Sequence, residues 1–344
     1  MDGIQVIRVW SYISVNEGFI KRIMDYVSFS IMSVLFSLRL KFDIIVATSP
    51  QFFTAIAGRS LSVLKGKPWI MEVRDLWPES IIAVGAMKNK IIIHLLERIE
   101  IKCYSTAIRI ISVTDSFKRI IVRKGINPGK ISVIKNGANL DLFNPQKKDQ
   151  TFIKEQNLEG KFVLAYIGTL GLAHGLDFIV DSAKQISDDS IHILFIGEGA
   201  NKQNLLNVIE NKNIKNVSIL DAVPKDQIRT YIASIDVALI NLKKSSLFKA
   251  VIPSKIFENA AMGKPILLGV NGESRQIIEK YNSGLYFEPE NTNDFIEKLY
   301  KLKNDNALYK KCQNGCHKLA HDFDRKKLAL QMLNVINKEV IHYS

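Results

Sequence analysis

Short apolar runs rich in β-branched residues alternate along this chain with longer stretches in which apolar positions recur every three or four residues. This alternation predicts an α/β architecture with parallel sheets built from strand-helix-strand units. The second half holds a complete, doubly wound pattern of strands, whereas the first half holds fewer. We predict strands at residues 4–10, 43–48, 69–73, 108–113 and 131–134, and then at 162–167, 192–196, 217–220, 237–240, 265–268 and 284–287.

A segment rich in turn residues separates the two series of predicted strands. Asn136-Gly137 and Asn144-Pro145 precede a polar run that ends at Gln150, and this composition is typical of turns and linkers. At about 150 residues per domain, the 344 residues predict two domains. We place the first domain at residues 1–146 and the second at 147–325, followed by a terminal helix at 326–344.

The positive charge of the chain is concentrated in the first domain. Residues 1–150 hold 22 Lys and Arg against 12 Asp and Glu, whereas residues 151–344 hold 25 against 22. Within residues 88–102 and 117–124 the basic residues alternate with apolar ones, a pattern that favours helices lying on an anionic membrane surface. The alternatives are solvated helix faces without a partner and, as the weakest one, nucleic-acid binding, because no recognised module accompanies the charge.

Other features of the composition narrow the cellular setting. The three cysteines are too few for a disulfide framework and indicate a reducing compartment. The N-terminal region lacks the pattern of a signal peptide, and the longest apolar stretch, residues 26–38, is shorter than the about 20 residues of a transmembrane helix. We therefore expect a cytoplasmic protein, peripheral on the inner face of the cytoplasmic membrane.

Glycine-rich turns follow two predicted strands of the second domain. Residues 168–175 read Gly-Thr-Leu-Gly-Leu-Ala-His-Gly, and residues 197–199 read Gly-Glu-Gly. Open α/β sheets bind ligands at the carboxyl ends of their strands, and backbone N–H groups at a helix start bind phosphate. Each turn is a candidate phosphate contact, although a glycine-rich turn is most often only a turn.

Residues 252–265 carry the more specific pattern. Pro253 and Ser254 are helix-start residues, so we expect a helix that begins here. Lys255 stands at this start and Glu258 follows on nearly the same helical face. A lysine at a helix start suits a diphosphate, and a carboxylate one turn later suits a pair of sugar hydroxyls. The alternative is an ordinary capped helix with a surface ion pair.

Taken in order, these segments resemble the retaining glycosyltransferases of family 4, whose GT-B fold has two Rossmann-like domains facing across a cleft. The resemblance covers essentially the whole chain, and its closest look-alikes are the N-acetyl-L-fucosaminyl transferases of O-antigen and capsule clusters. In the family, the terminal helix returns to the first domain. The matching segments are 74–80 (Arg-Asp-Leu-Trp-Pro-Glu-Ser), 136–138, 168–175, 197–199, 222–224, 234–236, 253–258 and 263–265.

The resemblance assigns roles to individual residues. Glu258 matches the glutamate that binds the nucleotide ribose, and Asp75 falls on the rim of the acceptor pocket. With Lys255 they form the predicted catalytic set, and a UDP-sugar is the implied donor, with no metal and no other cofactor. The implied nucleotide-binding residues are Gly168, Gly171, His174, Val223, Pro224, Ser254, Lys255, Glu258 and Arg275.

The chain departs from the resembled family at several positions. Ala250 stands where members commonly carry a first glutamate, and Arg74 stands where many have a histidine. Thr169 and His174 occupy the places of an arginine and a lysine in the first phosphate turn, so we expect Lys255 and Arg275 to compensate. The chain also lacks the family's opening strand and Gly-Gly loop; we expect a truncated first domain with an unsatisfied sheet edge.

Two other segments resemble metal-binding motifs. Cys312, Cys316, His317 and His321 have helical spacing, which more often marks buried small residues than a zinc site. Asp322-Phe323-Asp324 has the Asp-x-Asp form of a metal site, but we interpret it as the start of the terminal helix. Cys103 lies in an apolar helical stretch, and we expect its thiol to be buried.

The leading hypothesis is a glycosyltransferase that moves a sugar, possibly N-acetyl-L-fucosamine, from a UDP-sugar to an undecaprenyl-diphosphate-linked acceptor. One alternative is an inactive remnant that only binds nucleotide through the second domain. Another is a UDP-sugar 2-epimerase of the same fold, which would convert its substrate without a lipid acceptor.

Overall fold

The protein is described from a computed structural model that covers residues 3–13, 19–49, 52–83, 85 and 87–343. The chain divides into two compact units. The first unit comprises Met1–Lys135 with Leu330–Ser344, and the second comprises Asn136–Ala329. Each unit holds a parallel sheet with helices, as the alternating pattern of the sequence predicts.

The first unit is built around a four-stranded parallel sheet. Its elements are α1 (Phe19–Ser37), β1 (Ile45–Ser49), α2 (Phe52–Lys65), β2 (Trp69–Val73), α3 (Glu79–Ala83), α4 (Lys90–Thr106), β3 (Arg109–Ser112), α5 (Asp115–Arg123) and β4 (Ile131–Val133). The strand order is β1-β2-β3-β4. All five residues of β2 are buried, because this strand has a neighbour on each side and is covered on both faces.

The strand predicted at residues 4–10 is wrong. These residues form no strand, and Ile4 and Trp10 are 70% and 64% exposed. Farther along, Tyr12 N–H donates to Ser28 Oγ (2.8 Å) on α1, so the segment runs beside a helix instead of joining the sheet. Alternating apolar residues fit a strand only where a neighbouring strand supplies hydrogen bonds, and β1 pairs with β2 among the described strands.

The second unit holds a six-stranded parallel sheet. Its elements are α6 (Gln150–Glu155), β5 (Phe162–Ile167), α7 (Leu176–Ala183), β6 (Ile191–Ile196), α8 (Lys202–Asn211), β7 (Val217–Leu220), α9 (Ile228–Ser234), β8 (Val237–Asn241), α10 (Lys255–Ala261), β9 (Ile266–Gly269), α11 (Glu273–Tyr281), β10 (Gly284–Tyr286), α12 (Thr292–Asn304) and α13 (Asn306–Asp322). The order β10-β9-β8-β5-β6-β7 confirms the doubly wound pattern. A last helix, α14 (Arg325–Tyr343), begins in this unit and ends in the first.

Two hydrophobic clusters fill the second unit, one on each face of its sheet. Val163 and Ala165 of β5 belong to one cluster, whereas Leu164 and Tyr166 belong to the other. Successive side chains of a strand point to opposite faces, so a continuous apolar run supplies both clusters. The resulting sheet is a rigid base for the turns at its carboxyl edge.

The segment that begins at Asn136 belongs to the second unit. Ala138 and Phe143 are buried in one of its clusters, and the backbone of Ala138 bonds to Phe323 and Arg325. The boundary predicted from the linker composition, near residue 146, therefore differs from the start of the compact second unit at Asn136. Turn residues show where a chain bends, but they do not show which core the neighbouring apolar side chains enter.

No helix within the described ranges is long and apolar enough to span a bilayer.

Candidate functional site

Two glycine-rich turns meet at the carboxyl edge of the second sheet, where β5 and β6 end side by side. Gly168 N–H donates to Ile196 O (2.8 Å), and Leu170 N–H donates to Glu198 O (2.8 Å). An added Cβ at Gly197 would lie 1.9 Å from Gly168 O, so the close approach requires glycine. The turns that the sequence identified separately therefore form one structure.

Lys255, the first residue of α10, reaches the first of these turns. Its Nζ lies 3.8 Å from the centroid of the Tyr166 ring, a cation–π distance. Burial lowers the pKa of Lys255 to about 8, and the nearby Glu258 carboxylate opposes this shift. No ion pair within the described part of the chain involves Lys255. A partly buried ammonium with this environment is suited to binding an anion.

His174 lies against the same aromatic ring as Lys255. The ring centroids of His174 and Tyr166 are 5.4 Å apart. Burial, and secondly the charge of Lys255, lower the pKa of His174 to about 4. The His174 carbonyl accepts a hydrogen bond from Asn241 Nδ2 (2.8 Å), which anchors the turn to the end of β8. The imidazole is therefore neutral at neutral pH in this structure.

Glu258 lies one helical turn after Lys255 and is partly buried. Burial raises the pKa of its carboxyl group, whereas the charges of Arg325, Lys225 and Lys255 lower it. Its carboxylate has no hydrogen-bond partner among the residues that the structure covers. Both of its oxygens are consequently available to accept hydrogen bonds from a ligand, as the ribose role requires.

Val223 and Pro224 lie in the loop after β7. The Val223 side chain packs against the core, whereas Pro224 is exposed and its carbonyl accepts a hydrogen bond from Gln227 N–H (3.0 Å). The side chain of Ser254 makes no capping hydrogen bond at the start of α10. Gly171 precedes the one-turn helix at Leu172–His174, and its carbonyl accepts from His174 N–H (3.1 Å).

Arg275 does not join the glycine turns in its described contacts. Its Nε pairs with Glu279 Oε1 (2.7 Å) on the same helix, and its guanidinium carbon lies 4.2 Å from the centroid of the Tyr286 ring. The compensating role assigned to Arg275 stays a prediction.

Three residues around this site were not singled out by the sequence. The Tyr166 ring contacts both Lys255 and His174, and its hydroxyl donates to Thr169 O (2.8 Å). Its position just before the first turn was an available indication. Lys225 directly follows Val223 and Pro224, two of the implied nucleotide-binding residues. Arg325 begins α14 and comes from far along the chain, so no local pattern connects it with Glu258.

In the first unit, Asp75 follows β2 at the carboxyl edge of the sheet. Its Oδ1 accepts a hydrogen bond from Leu76 N–H (3.1 Å). Burial raises the pKa of Asp75 to about 6, and the charge of Glu79 adds to the rise. The carboxyl group can therefore exchange a proton close to neutral pH, which suits a group that contacts an acceptor hydroxyl.

A buried ionic cluster lies near Asp75 and was not predicted. Lys124 Nζ contacts Glu79 Oε1 (2.5 Å) and Glu100, and the Tyr104 hydroxyl donates to Glu100 Oε1 (2.7 Å). Burial raises the pKa of Glu100 to about 7. Lys124 is thus paired with carboxylates inside the unit, and only the other basic residues of the 117–124 stretch remain candidates for an external surface.

Two of the departures from the resembled motifs, Arg74 and Ala250, have local explanations. Arg74 Nη1 donates to Glu72 Oε1 (3.2 Å), and Glu72 also accepts from Thr48 Oγ1 (2.8 Å), so Arg74 belongs to a polar chain across β1 and β2. Ala250 is buried, at 5% exposed, and ends the one-turn helix Phe248–Ala250. A buried methyl group therefore occupies the place of the first glutamate.

The segments that resembled metal motifs have structural roles. Cys312 and Cys316 are buried, and the Cys316 thiol bonds to the Lys264 and Ser283 carbonyls (3.2 Å each), whereas His317 and His321 lie on the exposed side of α13. Asp324 Oδ1 accepts from Lys326 N–H (3.1 Å) at the start of α14, which confirms a helix start. Cys103 is buried, as predicted.

Comparison with protein families matches both parts of the chain. A family model described as "Glycosyl transferases group 1" matches residues 147–318, and one described as "Glycosyltransferase Family 4" matches residues 6–142. The first match includes every residue placed around Lys255 above except Arg325.

Curated relatives of the chain are named as glycosyltransferases. A probable glycosyltransferase, WbjE, of Pseudomonas aeruginosa is 26% identical over 64% of this chain, which spans 56% of that relative's length. An Escherichia coli protein named UDP-Gal:alpha-D-GlcNAc-diphosphoundecaprenol alpha-1,3-galactosyltransferase is 26% identical over 83% of this chain and 72% of its own.

Solved structures share the fold. The complex of Anabaena HepE with UDP-glucose has a TM-score of 0.75 at 14% identity, covering 93% of this chain and 84% of that one. At this identity the likeness shows the architecture of two Rossmann-like domains and nothing about specificity.

Proposed function

Because the chain belongs to the family of glycosyl transferases group 1, we propose that it is a retaining glycosyltransferase that uses a UDP-sugar donor. The acceptor that we propose is a sugar carried on undecaprenyl diphosphate, in the synthesis of a surface polysaccharide such as O-antigen or capsule. The donor sugar that the motifs imply is an N-acetylated deoxyhexose such as N-acetyl-L-fucosamine.

One observation carries the proposal. Lys255 and Glu258 lie one turn apart on α10; both are partly buried, the lysine has no described ion pair, and the carboxylate has no described hydrogen-bond partner. A nucleoside diphosphate supplies both missing partners: its phosphates pair with the ammonium, and its ribose hydroxyls donate to the carboxylate. An ordinary capped helix with a surface ion pair does not leave both groups unmatched.

The same residues supply the chemistry of transfer. Breaking the glycosidic bond to the diphosphate places negative charge on the leaving group as an oxocarbenium-like sugar forms. Lys255 and the backbone N–H groups of the paired glycine turns are fixed before the reaction, so they stabilise this charge without reorganising. Asp75 in the first unit is the proposed contact for the acceptor hydroxyl, where its raised pKa suits proton exchange.

The lipid-linked acceptor rests on comparison and on charge. The Escherichia coli relative is named for an acceptor on diphosphoundecaprenol, and the Pseudomonas aeruginosa relative is a probable glycosyltransferase. The first domain carries the excess of basic residues, which suits an anionic lipid carrier. We propose on this basis that the protein works at the inner face of the cytoplasmic membrane.

Helix α4 is the proposed membrane-facing element. Ile91 and Leu95 are 81% and 57% exposed, and Arg98 and Lys102 continue the same exposed face at helical spacing. Apolar side chains and cations on one face fit the boundary between acyl chains and anionic headgroups.

The proposal is tested with Glu258→Gln, which keeps the shape of the side chain and removes its charge. Hydrogen bonds to a charged group contribute about 1.5–3 kcal/mol, so we expect UDP to bind roughly 10- to 100-fold more weakly. Calorimetric titration with UDP measures the affinity. Transfer is measured from labelled UDP-sugars, UDP-galactose included, to undecaprenyl-diphosphate-linked N-acetylglucosamine. Glu210→Gln, an exposed position on α8, is the matched control and should behave as the parent.

Each rival predicts a different result in this assay. Equal UDP affinity and transfer by the parent and Glu258→Gln would contradict the ribose role. Binding of UDP by the parent without transfer to any acceptor would indicate the remnant, and conversion of a UDP-sugar without an acceptor would indicate the epimerase.

A further inference from the structure

The phosphate turn contains a histidine that is neutral and half-buried beside a lysine. We propose that His174 takes up a proton when a nucleoside diphosphate binds. In the empty site Lys255 is charged and His174 is neutral, whereas in the complex the His174 imidazolium and the Lys255 ammonium both hold the diphosphate. This inference rests on the proposed function, because it requires a nucleoside diphosphate at the glycine turns.

The geometry places both groups around one aromatic ring. Lys255 Nζ lies 3.8 Å from the centroid of the Tyr166 ring, and the His174 ring centroid lies 5.4 Å from it. An added Cβ at Gly171 would lie 3.5 Å from His174 Cδ2 and 3.9 Å from Nε2. The imidazole therefore lies beside the bare backbone of the turn, where a phosphate group would approach the N–H groups.

Burial, and secondly the charge of Lys255 on α10, keep His174 neutral. Lys243 after β8 lies beside Gly175 of the same turn, and the uncharged Asn241 side chain at the end of β8 bonds to the His174 carbonyl. Tyr166 on β5 stays protonated because burial raises the pKa of its hydroxyl. On α7, the Asp177 carboxylate accepts hydrogen bonds from the Asn201 and Asn204 amides. The surroundings thus disfavour a second positive charge until an anion arrives.

A diphosphate reverses this balance. In the empty site, burial and the charge of Lys255 lower the pKa of His174 to about 4. Two negative charges beside the ring favour the imidazolium, so the pKa is higher in the complex and the imidazole nitrogen takes a proton from solvent on binding.

The sign of the pH dependence follows. Between about 4 and the higher pKa of the complex, binding takes up a proton, so affinity falls as pH rises, by up to about tenfold per pH unit. Above the pKa of the complex His174 has no further effect. Lys255, with a pKa of about 8, is already protonated below pH 7, so it does not account for proton uptake in that range.

The number of protons that the protein takes up on nucleotide binding can be measured directly. Calorimetric titration with UDP-glucose in buffers of different ionisation enthalpy gives the number of protons taken up, from about pH 5 to 7. UDP-glucose is preferred to UDP because a terminal phosphate titrates near pH 6 by itself, whereas the diester phosphates do not. In parallel, NMR of the histidine rings follows His174 with and without nucleotide.

His192 provides the internal control. It lies near the opposite end of β6, its ring is bonded to Ser218 Oγ (2.8 Å), and burial lowers its pKa as well. We expect UDP-glucose to raise the pKa of His174 by at least one unit, equivalent to about tenfold in affinity, and to leave His192 unchanged.

Two substitutions complete the test. His174→Gln should abolish the proton uptake and make the affinity independent of pH below pH 7. His174→Arg should restore a permanent cation and give pH-independent binding that is tighter than that of His174→Gln. His192→Gln should retain the uptake of the parent.

The outcomes separate this inference from the proposed function. Binding of UDP-glucose without proton uptake below pH 7, or with uptake that persists in His174→Gln, overturns the role of His174 and leaves the donor site standing. Failure of the parent to bind UDP, UDP-glucose or UDP-galactose overturns the proposed function, and this inference with it.

Discussion

The missing side chain of Gly168 decides where Lys255 can lie. An added Cβ at this position would lie 2.3 Å from Lys255 Nζ and 2.4 Å from Cε, so any other residue displaces the end of the lysine from the Tyr166 ring. The long lysine side chain can move aside at little cost to the fold. Apart from the backbone strain that the φ of +142° at Gly168 imposes on any other residue, the damage is therefore expected in nucleotide binding.

Gly168→Ala is predicted to weaken UDP binding by at least about tenfold, the loss of roughly one charge-assisted contact. Gly160→Ala is the matched control: Gly160 also has a positive φ, +69°, but nothing lies within 4 Å of an added Cβ. The Gly160→Ala variant should lose about 1–2 kcal/mol of unfolding free energy through backbone strain and should bind UDP with the affinity of the parent. Calorimetric titration and urea unfolding measure the two effects, and an unchanged affinity in Gly168→Ala would contradict the placement of Lys255.

Helix α4 shows how one element can serve the core and a surface at once. Cys103, Tyr104 and Glu100 are buried on its inner side, whereas Ile91 and Leu95 are exposed on its outer side. Its N-cap, Asn89, accepts hydrogen bonds from Ile91 N–H and Ile92 N–H, so the exposed apolar residues lie on a capped first turn and not on a frayed end.

Substituting Ile91→Gln and Leu95→Gln together should reduce binding to vesicles that contain anionic lipid by several-fold. Burial contributes about 25 cal/mol per Å² of apolar area, and both side chains would lose it. Co-sedimentation with anionic and with zwitterionic vesicles measures the effect. Leu206→Gln, at an exposed leucine of α8 in the second unit, is the control, and equal losses in the two variants would count against α4 as the contact.

The division of the molecule into two units gives separate probes of folding and binding. The sequence has three tryptophans, at positions 10, 69 and 77, and all belong to the first unit. The proposed nucleotide site lies in the second. Tryptophan fluorescence therefore reports on the unfolding of the first unit, whereas heat absorption reports on the unfolding of both units.

UDP at 100 times its Kd should stabilise the unit that binds it by about 2.7 kcal/mol. We expect the calorimetric transition of the second unit to rise by about 5 °C or more, with a smaller shift in the melt followed by tryptophan fluorescence. Lys255→Met should remove the calorimetric shift. Equal shifts by both methods would show that the two units unfold as one, and no shift by either would contradict nucleotide binding.

The pattern of the sequence predicted the strands and the order of elements well, because periodicities of two and of about 3.6 residues reflect backbone geometry within a few residues. Strand β5 and the second sheet illustrate this, as does the spacing of Lys255 and Glu258. Residues 4–10 show the limit: their alternation suits a strand, but a strand exists only where a neighbour pairs with it.

By itself the sequence determined the two α/β units, the glycine turns, and the lysine and carboxylate on one turn of α10. Only the tertiary structure decided that the Tyr166 ring contacts both His174 and Lys255, that the charge of Arg325 acts on Glu258, and that Lys124 is paired inside the first unit. These facts depend on contacts between residues far apart in the chain. Burial, and the pKa shifts that burial causes, arise only when the packing around a group is complete.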